Sequence, residues 1–279
     1  MLRGLTQAGT GPFSSIEQFI SLAAEYGFHA IDVDARSLIQ AKGLEGAKEF
    51  LQEKNIVLGS IGLPVQWRQD ENAFKDSLPQ LVESAAAAAA LGCTRCCTYI
   101  LPSTDYKPAH FMALATRRIA VCASILDAYG IKLGLEFVGP HHLRTQWKYP
   151  FIWTMEETLD WIDAIGAPNI GLLLDAYHWH TNEMTVQDLL NLSADQIIHV
   201  HINDAPDVPV SEALDNGRVY PGEGIIDLAG FLQALHQIHY DGIVSQEVLT
   251  TAKTDSTPEE RMARSKAGFD RVFKEAGLM

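Results

Sequence analysis

Several absences narrow this 279-residue chain before any motif is read. Four cysteines are too few for a disulfide scaffold of this length. Cys93 and Cys96 have CxxC spacing, but with Cys97 they lie in a strand-like stretch, and no second pair follows at zinc-site spacing. They read as reduced, buried, structural thiols. Met1 to Gly11 hold one arginine and no apolar stretch long enough for a signal peptide. No run reaches the roughly 18 apolar residues of a membrane span. A cytoplasmic protein without a membrane partner is therefore expected. Positive charge is also scarce, with 21 Lys and Arg against 35 Asp and Glu and a formal net charge of -14. Such a surface repels phosphate backbones, so no nucleic-acid partner is expected. A Gly-rich dinucleotide loop is missing too, since Gly9 and Gly11 form only a GxG after the first strand. No Pro/Ser/Gly linker and no repeat divides the chain, which predicts one domain over residues 1–279. The 47% hydrophobic and 20% charged content is that of a packed globule and excludes disorder.

What is present is an alternation of short apolar runs with amphipathic segments. The runs predict strands at Arg3–Gln7, Ala30–Asp34, Val57–Ile61, Arg95–Ile100, Lys132–Phe137, Ile170–Leu174, Ile197–Ile202 and Gly242–Val248. Between them lie helix starts: Ser14 three before Glu17, Thr154 before Glu157, Thr185 before Asp188, and Thr257-Pro258-Glu259-Glu260. Gly27, Gly92, Gly130 and Gly166 each close a helical pattern. Eight strand–helix units predict an α/β fold, a single (β/α)8 TIM barrel, with a doubly wound open sheet as the alternative.

A barrel of this kind carries its chemistry at the C-terminal strand ends. Four consecutive strands end in acids or imidazoles: Glu136 after Leu133-Gly134-Leu135, Asp175 after Leu172-Leu173-Leu174, His199 and His201 in the seventh strand, and Glu247 in the eighth. Side chains two apart share a strand face, so His199, His201 and Asn203 point one way and Ile198, Val200 and Ile202 the other. A bare carboxylate is costly after an apolar run, and four such groups at one barrel end make a Glu-Asp-His-Glu set for a divalent cation.

The chain resembles the sugar-phosphate isomerase/epimerase superfamily of xylose-isomerase-like barrels. The likeness rests on Gly134-Leu135-Glu136-Phe137, Leu174-Asp175-Ala176-Tyr177-His178, His199-Val200-His201-Ile202-Asn203-Asp204, Arg218 with Pro221-Gly222-Glu223-Gly224, and Gln246-Glu247. The resemblance implies one divalent metal ion held by Glu136, Asp175, His201 and Glu247, Mn²⁺ first and Mg²⁺, Co²⁺ or Zn²⁺ as alternatives. It implies that His178 and Arg218 contact substrate; for Arg218 the alternative is a salt bridge pinning its own loop. His199, one layer deeper, is expected to pack or to support the site.

Where many ketose 3-epimerases carry a Glu six residues after the first metal-binding Glu, this chain has His142, flanked by His141 and Arg144, so a particular ketohexose is not implied. His142 is kept as a substrate-loop residue. Trp67, Trp147, Trp153 and Trp179 are candidates for an apolar wall against a sugar ring, with Trp179 preferred. The early strand ends Asp32-Val33-Asp34, Ser60-Ile61-Gly62 and Thr98-Tyr99 lack the histidines of the apurinic endonucleases, which demotes that relative.

The implied reaction is isomerisation or epimerisation of a keto-sugar or keto-cyclitol through a metal-stabilised enediolate, with Glu136 and Glu247 as the acid/base pair. A dehydratase or lyase is the alternative, with His141 or His142 as the acid beside the leaving group; a non-catalytic barrel is a third reading. The partner is a small, unphosphorylated sugar, and the family suggests a homodimer or homotetramer.

Overall fold

The computed structural model describes residues 1–251 and 255–279. Nine parallel strands form one sheet: β1 Leu2–Leu5, β2 Ala30–Ile31, β3 Val57–Leu58, β4 Ile61–Gly62, β5 Arg95–Ile100, β6 Lys132–Phe137, β7 Ile170–Asp175, β8 Ile197–Ile202 and β9 Ile243–Gln246. Their order is β3-β2-β1-β9-β8-β7-β6-β5-β4. The ends of that series are one barrel position. Val57–Leu58 pairs with β2, Ile61–Gly62 pairs with β5, and Gly59-Ser60 between them carries the chain from one neighbour to the other. The nearly closed parallel barrel thus has the eight positions expected, with the third strand split rather than continuous.

Among the described residues, ten α-helices surround and cap it: α1 Ile16–Glu25, α2 Ala35–Lys54, α3 Glu71–Ala90, α4 Pro108–Asp127, α5 His141–Arg144, α6 Met155–Ile165, α7 Ala176–Thr181, α8 Val186–Leu190, α9 Leu228–Gln237 and α10 Pro258–Glu275. Their starts are where side-chain oxygens meet the first free amides. Thr154 Oγ1 accepts from Glu157 N at 3.2 Å, and full capping boxes join Thr185 with Asp188 and Thr257 with Glu260. The first helix begins one residue later than Ser14 predicts, because Ser15 makes the cap to Gln18 N. Gly27, Gly92, Gly130 and Gly166 follow helices with positive φ, a conformation that costs glycine little.

Apolar residues on the outer strand face, such as Leu133, Leu135, Phe137, Val200 and Ile202, are fully buried against the helices. All four cysteines are free and buried. One expectation is corrected here. Helix α4 is 20 residues long with a mean hydropathy of 1.3 over 18 residues, enough by length and composition to cross a membrane. It packs between α3 and α6 and on β6. Arg118 on it is buried, donating to the Trp67 and Gln69 carbonyls at 2.9 and 2.6 Å and to Glu71 Oε2 at 3.0 Å.

Candidate metal centre and active site

Strand alternation turns Glu136 of β6, Asp175 of β7 and His201 of β8 into the barrel lumen, and Glu247 follows directly on β9. One donor atom from each of these four lies within 4.8 Å of all the others. His201 Nδ1 is 3.6 Å from Glu247 Oε2, 3.9 Å from Asp175 Oδ2 and 4.0 Å from Glu136 Oε1. Glu136 Oε1 and both His201 ring nitrogens are buried without a hydrogen-bond partner. Native interiors rarely leave such atoms unmatched, so this set of three carboxylates and one imidazole fits a divalent cation.

The surrounding groups fix each donor. Asp175 caps α7 through Oδ1, which accepts from Tyr177 N at 2.7 Å and from Asn203 Nδ2 at 3.0 Å. Asn203 also donates to the Glu247 carbonyl at 3.1 Å, tying two strand ends together. His178, three residues after Asp175, returns to the same side of the helical turn. Its Nδ1 accepts from Gly139 N at 3.3 Å, and its Nε2 lies 3.4 Å from Arg218 Nη2 and 3.7 Å from Glu136 Oε1. Arg218 is buried: Nη1 donates to Asp175 Oδ2 at 2.9 Å and Glu247 Oε2 at 3.1 Å, and Nη2 to Asp215 Oδ1 at 2.7 Å. Asp204 holds the adjoining Pro221-Gly222-Glu223-Gly224 loop by accepting from Gly222 N and Ile226 N.

Charge crowding separates the two glutamates. Burial, then the Glu247 and Asp175 charges, push Glu136 well above the usual carboxylate range. Burial acts the same way on Glu247, but His201 and Arg218 overcome it and hold Glu247 at about 2. Burial opposes the charge on His201, yet Glu247 and Asp32 keep its imidazolium well above the ordinary histidine range.

Other sequence candidates lie elsewhere. His142 is exposed on α5. Trp179, one residue past His178, is rotated outward into the core, 5.5 Å edge-on from Phe231, and donates to the Thr185 carbonyl at 3.2 Å. Trp67 is likewise a core residue, stacked 6.2 Å from Phe111. Neither forms an apolar wall of the site: helical phase turns Trp179 away from the lumen, and Trp67, in the turn before α3, packs into the core.

Asp32 was missed as a site residue. Its Oδ2 lies 2.8 Å from His199 Nε2 and 3.5 Å from His201 Nε2. Asp215, the partner of Arg218, was missed as well. The available signal for Asp32 was its place at the C-terminal end of a strand, the same signal that marks Glu136 and Glu247. A cavity of about 270 Å³ opens beside three of the four donors, Glu136, His201 and Glu247, and is lined further by Thr6, Asp32, Ser60, Thr98 and Tyr99. Its lining contains no lysine or arginine.

A family model described as xylose isomerase-like TIM barrel matches residues 20–271. An inosose isomerase of Bacillus velezensis is 32% identical over 150 residues, 54% of this chain and 51% of the relative. The chain thus spans about half the length of that relative and of its Bacillus subtilis counterpart. A D-psicose 3-epimerase of Enterocloster bolteae is 22% identical over 261 residues, 84% of this chain and 77% of the relative. Among solved structures, a xylose isomerase domain protein of Alicyclobacillus acidocaldarius superposes with a TM-score of 0.91 at 33% identity, covering 99% of both chains. A second, called IOLI and solved with a zinc atom, superposes at 0.84 with 22% identity over the whole of both chains.

Proposed function

From the premise that the chain belongs to the xylose isomerase-like TIM barrel family, we propose that it is a divalent-metal-dependent isomerase or epimerase of a keto-sugar or keto-cyclitol. The observation that carries this is the pair Glu136 and Glu247, brought together from different strands beside two further donor groups and given opposite proton affinities by their surroundings. Two carboxylates driven apart in this way are suited to be an acid and a base. The relatives' names, inosose isomerase and D-psicose 3-epimerase, supply the substrate class.

Glu136, Asp175, His201 and Glu247 would hold the ion; the oxygen-rich set with one imidazole suits Mn²⁺ first, then Mg²⁺, Co²⁺ or Zn²⁺. A divalent cation bound there would polarise the ketone, acidify the neighbouring C–H and stabilise the enediolate. Glu247, kept ionised by His201 and Arg218, takes the α-proton onto a carboxylate oxygen. Glu136, on β6 and three barrel positions from β9, returns a proton to the other face or the adjacent carbon. His178 presents its Nε2 edge toward the reacting oxygens, while Arg218 holds Asp175 and Glu247 in place.

The cavity volume is near the lower end of the ~300–1,000 Å³ typical of ligand sites, which suits a single ring. Hydroxyls and carboxylates line it and no lysine or arginine does, which favours an unphosphorylated polyol. The exposed position of His142 removes one of the two histidines considered as the acid for elimination. Reduced, buried cysteines suit a cytoplasmic enzyme, with residues 1–279 acting as one domain.

The test is incubation of Mn²⁺-loaded protein with ketohexoses and keto-inositols in D₂O. Deuterium at the α-carbon without loss of water is expected. Loss of water from the product would replace this reading with the dehydratase, and no exchange on any keto-substrate would overturn it.

A further inference from the structure

Asp32 contributes no donor to the four-residue group, yet its carboxylate reaches one of those donors from behind. It follows β2, which is separated from β8 in the sheet by β1 and β9. The two meet across the barrel lumen. One oxygen, Oδ2, hydrogen-bonds His199 Nε2 at 2.8 Å and faces His201 Nε2 at 3.5 Å without hydrogen-bonding it. The two rings stand edge to face, 5.3 Å apart. The other oxygen, Oδ1, is buried without a partner and fills the space beside Gly59, where an added Cβ would come within 2.3 Å of it. Gly59 is also where the third barrel position splits. The wall is therefore thinned at the one place where this carboxylate needs room.

A neutral imidazole carries its proton on one nitrogen and offers a lone pair on the other. A carboxylate facing Nε2 puts the proton there, which leaves the Nδ1 lone pair aimed at Glu136, Asp175 and Glu247. We infer that Asp32 is a positioning residue for metal binding, holding His201 as the Nε2–H tautomer so that Nδ1 is presented to the cation. This rests on the metal reading proposed above. His199 takes the remaining lone-pair direction of Oδ2 and braces the carboxylate from below.

The donor atoms of Asp32, His199 and His201 also lie within 4.8 Å of one another, so a second cation there is the competing arrangement. It would require His201 to give up both ring protons and His199 to give up its hydrogen bond to Asp32. A positioning role requires neither.

Full-length protein stripped of metal and titrated with Zn²⁺ distinguishes these. The parent is expected to bind one equivalent, and Asp32→Asn to weaken its Kd by about 10–100-fold. Long-range ¹H–¹⁵N spectra of the histidine rings, taken without metal at a pH where His201 is neutral, should find its proton on Nε2 in the parent and shared between the two ring nitrogens in Asp32→Asn. Gly59→Ala displaces Oδ1 without changing any charge and is expected to weaken Zn²⁺ in the same direction; it serves if Asp32→Asn does not fold. His199→Gln removes the brace but leaves the Asp32 charge facing His201, and is expected to weaken Zn²⁺ less than Asp32→Asn does. Parental affinity in both Asp32→Asn and Gly59→Ala, equal losses in His199→Gln and Asp32→Asn, or a second equivalent that vanishes with Asp32 would each overturn the positioning role. A parent that binds no divalent metal would overturn the metal reading itself, and this inference with it.

Discussion

Nη1 of Arg218 donates to Oδ2 of Asp175 at 2.9 Å, with both side chains shut away from solvent. The same nitrogen reaches Glu247 Oε2, so one guanidinium compensates two of the four donors while Nη2 is anchored by Asp215. A buried carboxylate without such a partner is expensive. Arg218→Met is expected to cost about 3–5 kcal/mol in the metal-free protein, read by urea unfolding. Adding Mn²⁺ should recover part of that loss, because the cation replaces the missing charge. A variant as stable as the parent without metal would contradict this account.

Glu136 behaves oppositely. A carboxyl whose proton affinity is raised on folding favours its neutral form in the folded state, so its ionisation works against folding as pH rises above the ordinary carboxylate range. Glu136→Gln removes that charge at nearly constant volume. The metal-free variant should melt a few degrees above the parent at pH 7, yet lose the stabilisation that Mn²⁺ gives the parent. Calorimetric scans with and without the ion check both halves.

The Glu247 carboxyl, lowered from its ordinary 4.5 to about 2, contributes stability that is present above pH 4.5 and lost as pH falls toward 2. In the metal-free parent this amounts to about 3 kcal/mol. Glu247→Gln should flatten that part of the acid-unfolding profile. An unchanged slope between pH 5 and pH 3 would show that His201 and Arg218 do not hold the charge.

Protons and metal compete for the same atoms. His201 keeps its imidazolium to higher pH than an ordinary histidine, and Glu136 keeps its proton, so metal entry must release both. Metal Kd is therefore expected to tighten as pH rises. Titration calorimetry in two buffers of different ionisation enthalpy should find roughly one to two protons released per ion. Binding with no buffer dependence would be inconsistent with this.

Trp179 and His178 are neighbours in sequence with separate tasks. Trp179→Ala empties a core site against Phe231 and should cost about 3–5 kcal/mol of stability, with KM unchanged in the protein that remains folded. His178→Gln should leave stability closer to the parent and lower kcat/KM. A raised KM in Trp179→Ala would place the indole against substrate after all.

Local chemistry was legible in the sequence. Strands Arg95–Ile100, Lys132–Phe137 and Ile197–Ile202 have the bounds their apolar runs predict, since β-branched and apolar residues between polar turns leave little choice of ends. The acid or imidazole at each late strand end was equally visible, because alternation along a strand decides the face of every residue. What escaped was whatever depends on the closing of the barrel. The break at Gly59, the arrival of Asp215 at Arg218, and the reach of Asp32 to two histidines three barrel positions away are contacts between segments distant in the chain. Period two says that Asp32 faces inward; only the parallel register of the closed sheet says what it meets there. The outward turn of Trp179 has the same origin, for adjacent residues on a helical turn cannot both face the lumen, and packing against α9 decided which one did.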